Sequence, residues 1–302
     1  MTRVASIPMQ RTLFDAIQRS QQQLTSTQLQ LATGKKAQNY ADLGTEAVRN
    51  LSAHSLLARQ DAHGTVTKRL GTTLSVQDAN ISNIESSTET MRVEILKAIG
   101  TGQSAGLQET IDAAFQQVRT ALNANDSGLP LFAGSQTGEL PFRLEKLTDL
   151  IGLPVADAFG NDGIRASARV AEGLDVEFGV LASDLGTKVM ESFRKLAEMG
   201  PLDQQVNPGQ IAVLRDAMTQ LEDGLTQIRS INAENGRKQA QIETLGERAE
   251  GRAILLKDII SRSEDADLSQ VASELTQRRF VLEASYSVFS QLSGLNLLRF
   301  LN

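Results

Sequence analysis

LSQVASELTQRRFVLEASYSVFSQLSGL, residues 268–295, carries an apolar residue at every seventh position: Leu268, Leu275, Leu282 and Phe289. Val281, Val288 and Leu295 form a second series beside the first. Two adjacent stripes predict an amphipathic helix with a seam wide enough for more than one neighbour. The remaining residues say what kind of helix it is. From 280 to 302 the only charged residues are Glu283 and Arg299. A surface helix places charge on its outer face, and a membrane-spanning helix is predominantly apolar, without so many Gln and Ser. What remains is a helix surrounded by protein on most sides.

The other end of the chain reads the same way. Ile17, Leu24 and Leu31 are seven apart, and residues 20–34 contain no charge. The expected interface therefore comprises Ile17, Leu24 and Leu31 with Leu268, Leu275, Leu282, Val288, Phe289, Leu292 and Leu295. Alone in water, such ends bury too little to offset the entropy of ordering them. They are expected to meet each other and then other subunits.

Between the ends the period is mostly helical. A helix is expected over 45–99, with Leu70, Ile84 and Met91 in one register, interrupted by Gln77, and Leu74, Ile81 and Ile95 in another. Leu107, Ile111, Phe115, Val118 and Leu122 mark a further helix. Residues 128–141 form a Gly/Pro-punctuated break. Alternation over 164–170 and 174–180 predicts a β-hairpin with a three-residue loop, Ala171-Glu172-Gly173. Helix resumes near Lys188 and stops at Gly200-Pro201. Asn207-Pro208-Gly209-Gln210 then reads as an N-cap, Pro at the first helical position and Gln at the third. The helix that follows runs to about Arg262, with polar Asn232, Asn235 and Gln239 on its apolar seam.

The expected fold is mainly α: a long coiled-coil or bundle rod from the N- and C-terminal segments, with a small β-containing insert. Its parts are 1–44 with 265–302 as a terminal inner helical domain, 45–134 with 187–264 as a rod, and 135–186 as a β-rich outer insert. Aromatics at 4% and the absence of Trp suit long helices packed through aliphatic side chains. A net charge of −6 with interspersed signs speaks against nucleic acid. Without Cys, disulfides and thiolate metal sites are excluded. The N-terminus Met1–Pro8 has no apolar core of signal-peptide length and no stretch has the length of a membrane span, so no membrane insertion is expected, and any export needs a route without a cleaved signal.

Candidate chemistry is sparse. His54 and His63, nine residues apart on one helix, fall on opposite faces and read as solvated. Glu264, Asp265 and Asp267 lack the Gly and spaced acceptors of a calcium loop, and Asp267 reads as a helix cap. Asn161-Asp162-Gly163 is a turn signal. Neither a catalytic triad nor a cofactor site emerges, so a structural, non-enzymatic role is expected.

Leu31-Ala32-Thr33-Gly34-Lys35-Lys36 followed by Ala41-Asp42 resembles the N-terminal signature of the bacterial flagellin family. Ser261-Arg262-Ser263-Glu264-Asp265-Ala266-Asp267-Leu268 is similar to its C-terminal one. Leu131-Phe132-Ala133-Gly134-Ser135-Gln136-Thr137 with Pro141-Phe142 resembles the members at the hook–filament junction. Gly34, Asp42, Phe132, Gly134, Pro141, Glu264, Asp265 and Asp267 carry the resemblance. It implies an extracellular flagellar subunit, exported by the flagellar type III machinery with a chaperone's help. The implied partners are copies of itself, a hook-side junction protein and flagellin filament subunits. The shared termini leave a filament flagellin as an alternative, and the heptads at 214–259 a soluble coiled-coil scaffold.

Overall fold

The computed structural model of the chain describes residues 6–298, with side chains from 11 to 291. Among these residues are six helices: α1 Ser6–Thr33, α2 Ala47–Thr101, α3 Leu107–Leu122, α4 Ala182–Met199, α5 Pro208–Glu264 and α6 Leu268–Leu298. Three short 3₁₀ helices and two small antiparallel hairpins complete the regular structure of the described residues, the hairpins being β1 Asn125–Asp126 with β2 Leu129–Pro130, and β3 Ser167–Ala171 with β4 Leu174–Glu177. The fold is mainly α with a small β region. It divides into two compact units, residues 60–251 and the two chain ends, 1–59 with 252–302.

Residues 60–251 hold the main core. Ile81, Ile84, Met91 and Ile95 of α2 pack with Ile111, Phe115 and Val118 of α3, with Val189 and Phe193 of α4, and with Leu214, Leu221 and Ile228 of α5. The seven-residue registers of α2 and α5 are therefore core registers. Segment 131–159 contributes Phe132, Phe142, Leu150 and Phe159 to the same core. Phe115 makes edge-on contacts with Phe142 and Phe193, at centroid separations of 6.1 and 5.5 Å. Asn123 fixes Phe142 in place: its amide donates to the Phe142 carbonyl (2.9 Å) and its Oδ1 accepts the Phe142 amide (2.8 Å).

The polar residues on the seams donate to backbone carbonyls of other segments. Asn235 and Gln239 of α5 both donate to the Leu74 carbonyl of α2, each at 3.0 Å. Gln77, the break in the α2 register, turns its amide toward the Leu131 carbonyl (3.4 Å). A buried amide that needs a partner fixes how two helices slide past each other.

Several local expectations are corrected. The β3–β4 strands are shorter than expected, and Ala171 pairs with Leu174. The loop is therefore two residues, Glu172-Gly173, with Gly173 at φ 70°. A register shift between Arg169 and Ala171 takes up the extra residue as a bulge. Val170 and Val176 of this hairpin pack on Leu70, Leu74 and Ile242. Within the stretch read as a break, β1 and β2 pair through Ser127 and Gly128, both with positive φ (54° and 86°), as a tight hairpin turn demands. α4 starts at Ala182, a turn and a half before Lys188. Its first-turn Ser183 amide is accepted by Asn161 Oδ1 (3.1 Å), a cap from outside the helix that leaves no local signal. The cap of α5 forms as expected: Gln210 N donates to Asn207 Oδ1 (2.9 Å) and Asn207 N to Gln210 Oε1 (3.1 Å).

In the unit of the chain ends, α1 lies along α6. Ile17 and Val271 are buried, the Gln21 amide donates to the Tyr286 hydroxyl, and Arg278 donates to the Gln23 carbonyl (3.1 Å). Among the described residues, Ala53 of α2 and Ala253 and Ile260 of α5 are the other buried apolar side chains of this unit.

Candidate assembly interface

α1 ends at Gly34, whose φ of 70° is the left-handed stop that glycine provides, with its amide returning to the Gln30 carbonyl (2.8 Å). α5 ends at Glu264, and Asp267 caps α6 by accepting the amides of Ser269 (2.9 Å) and Gln270 (3.2 Å). These two stops lie against each other. Lys36 N donates to the Glu264 carbonyl (2.6 Å) and Ala266 N to the Gly34 carbonyl (2.8 Å). The two signature segments, at opposite ends of the sequence, are thus one structural feature.

Charge reinforces the crossing. Lys35 Nζ lies 2.6 Å from Asp265 Oδ1 and 3.2 Å from Glu264 Oε2. His54 Nε2 lies 2.6 Å from Glu264 Oε1, and Asn50 donates to Ser263 Oγ (2.6 Å). The reading of His54 as a solvated histidine is therefore corrected: its partner is 210 residues away, beyond any local pattern. The His54 hydrogen bond is the largest influence holding the Glu264 carboxyl below the usual glutamate range, with Asn50 and Lys35 adding to it. Lys35 does the same for Asp265, helped by Ser261, and is itself raised, first by Asp265 and then by Glu264. These groups are largely exposed, so solvent screening keeps each pair weak.

Above this crossing, the α1–α6 pair sorts the expected interface residues. Ile17 is 6% exposed; Leu24, Leu275, Leu282 and Phe289 are half-buried along the pair. Leu31, Leu268 and Val288 are exposed. Leu292 and Leu295 lie outside the residues whose side chains are described. Pairing also leaves Phe14 (59%) and Phe280 (73%) exposed, together with Val281 and Tyr286. Phe280 does not stand out in the heptads, since period alone does not say which side a partner takes. An apolar face of this kind marks a surface for protein contact. In the same unit, Val48, Leu51, Ile254 and Leu255 are exposed as well.

The other motif residues do different work. Asp42 sits in the short 3₁₀ helix Tyr40–Glu46, its amide accepted by Asn39 Oδ1 (3.2 Å). Phe132 is fully buried, and the Pro141 carbonyl accepts the Gly160 amide (2.9 Å). Gly134 has φ 67°, and a Cβ there would stand 2.3 Å from Asp162 Oδ1. That carboxylate accepts the Ser135 hydroxyl and the amides of Ser135 (2.9 Å) and Ile164 (3.1 Å). The Asn161-Asp162-Gly163 turn thus clamps the 131–137 motif, and Ser135 is the first of the influences that lower the Asp162 carboxyl. Phe132 and Pro141 are buried within residues 60–251, whereas Asp42 is exposed in the chain-end unit. Among the described residues, no group of three or more His, Asp or Glu is placed to hold a metal ion, and no helix is long and apolar enough to cross a membrane.

The chain also resembles known proteins. Residues 218–301 match the family model for the bacterial flagellin C-terminal helical region. The chain is 21% identical to flagellar hook-associated protein 3 of Salmonella typhimurium, over 98% of each chain. It is 22% identical to the Escherichia coli protein of the same name, over 89% of this chain and 90% of that one. The crystal structure of Bacillus cereus FlgL superposes with a TM-score of 0.55 at 15% identity, covering 70% of this chain and 98% of the other. Residues 218–301 thus match the helical region found at the C-terminus of bacterial flagellins, and the chain is similar over nearly its whole length to flagellar hook-associated protein 3.

Proposed function

We propose that this protein is a structural subunit of the bacterial flagellum that joins hook to filament. It assembles through its paired terminal helices, with residues 1–44 and 265–302 as an inner assembly domain, 45–134 with 187–264 as the rod and 135–186 as the outer part. The observation that carries this reading is the α1–α6 pair, which satisfies one apolar face internally and leaves Phe14, Phe280, Val281 and Val288 facing out. The likeness to hook-associated protein 3 over both whole chains names the polymer that would cover that face. The chain works by contact and not by catalysis. Its partners are copies of itself, a hook-side junction protein and flagellin subunits, and it reaches them through the flagellar type III apparatus with a chaperone's help and without signal cleavage.

Deleting the gene tests this. Cells should keep hooks yet lack or shed filaments, and complementation should restore them. Stable filaments in the deletion strain overturn the junction role. Because the matched helical region is that of flagellins in general, purified protein that polymerises by itself into long filaments would assign it to the filament instead.

A further inference from the structure

We propose that residues 60–251 of neighbouring copies pack side by side, with the acidic flank of α5 in one copy set against the basic flank of α5 in the next. The proposal rests on the reading that copies of this chain assemble, and it names a surface by which their helical regions meet. It asks nothing of the terminal helices.

Glu243, Glu247 and Glu250 stand four and three residues apart, so they share one flank of α5. All three are exposed. They form one wall of a groove of about 390 Å³, and Thr67, Gly71 and Ser75 of α2 form the other. Side chains this small leave the carboxylates standing over a low wall. Beneath them the two helices nearly touch: a Cβ at Gly246 would stand 3.3 Å from Thr67 Oγ1. Lys68 is the cation on the α2 wall, one against three.

Arg237 and Arg248 lie on the opposite flank. They are three helical turns apart and so in line, and at about 100° per residue Arg248 stands roughly 140° round the helix from Glu243. Both are exposed. The buried Ile242 and Ala249 lie between the two flanks and hold them turned apart. Glu234, the carboxylate near Arg237, is already held by Lys238 (2.9 Å). Among the described residues, none of the three glutamates and two arginines is in an ion pair. Whatever meets the row of carboxylates must bring cations, and this chain carries them on its other side. Faces that complement each other from opposite sides give a head-to-tail contact, which repeats around a ring or along a helix of identical subunits. A basic patch on a different protein would fill the groove but leave Arg237 and Arg248 unmatched. Charge pairs of this kind fix orientation and register more than affinity, which suits a polymer held together by apolar faces elsewhere.

Full-length chains returned to the deletion strain test this. Glu243→Lys/Glu247→Lys/Glu250→Lys and Arg237→Glu/Arg248→Glu should each lower the amount of the chain in isolated flagella about tenfold, because like charges then face each other. The chain carrying all five changes should recover most of that loss, since every contact is then complementary again with its signs exchanged. All five side chains are exposed, so the purified variants should melt as the unaltered protein does. The proposal is overturned if either reversed variant incorporates at the normal level. It is also overturned if both fail and the five-change chain fails with them, which would set a different protein against these faces. If the unaltered chain is itself absent from flagella, the assembly reading falls and this proposal with it.

Discussion

Gly134 shows how a motif residue acts through conformation and close approach. Its backbone is left-handed, and the space where a Cβ would sit is filled by the Asp162 carboxylate and the Ile164 carbonyl. Gly134→Ala therefore meets both a disfavoured φ and a collision with a carboxylate that is satisfying two amides. The expected penalty is about 1–3 kcal/mol, read as a lower melting temperature for residues 60–251, with the chain-end unit unaffected. Unchanged melting would mean that Asp162 does not clamp the motif. The sequence showed Asn161-Asp162-Gly163 as a turn and Leu131–Thr137 as a signature, but not that one holds the other. His54 is the parallel case in the chain-end unit: its face on α2 was legible, and its partner Glu264 was not.

At the scale of the helix, the two stripes of α6 divide the labour. Leu275, Leu282 and Phe289 are half-buried along α1, whereas Phe280, Val281 and Val288 face outward. Two aspartate substitutions should separate pairing from assembly. Phe280→Asp should block incorporation into flagella while helix content and monomer solubility stay as they are. Leu282→Asp should also block incorporation, but by loosening α1 from α6, visible as faster amide exchange in α1. Incorporation of Phe280→Asp at the normal level would show that this face is not covered in the assembled state. The periodicity read two stripes; which of them lies along the chain's own partner helix is decided by how α1 docks.

Across the whole molecule, apolar burial is uneven. Residues 60–251 bury four phenylalanines completely, Phe115, Phe132, Phe142 and Phe193, among many aliphatic side chains. In the chain-end unit the buried apolar side chains among the described residues are Ile17, Ala53, Ala253, Ile260 and Val271. Stability follows buried apolar area, so local opening should be much easier at the ends. Hydrogen exchange on the free protein should show the slowest amides in 60–251 and fast exchange in 1–59 and 252–302. Incorporation into a polymer should slow the ends selectively. Equal protection of both units in the free protein would count against assembly as what completes the terminal helices.

The sequence by itself determined the long helices, the exact span of α3, the Asn207–Gln210 cap and the charge-poor ends, because period, capping and charge are local properties of a chain. It also marked both signature segments. Only the tertiary structure decided that those segments cross, that His54 pairs with Glu264, that Asn161 starts α4 early, and that 131–159 shares the core of residues 60–251. Each of these depends on partners far apart in sequence, whose approach is set by how the helices pack and not by any local pattern.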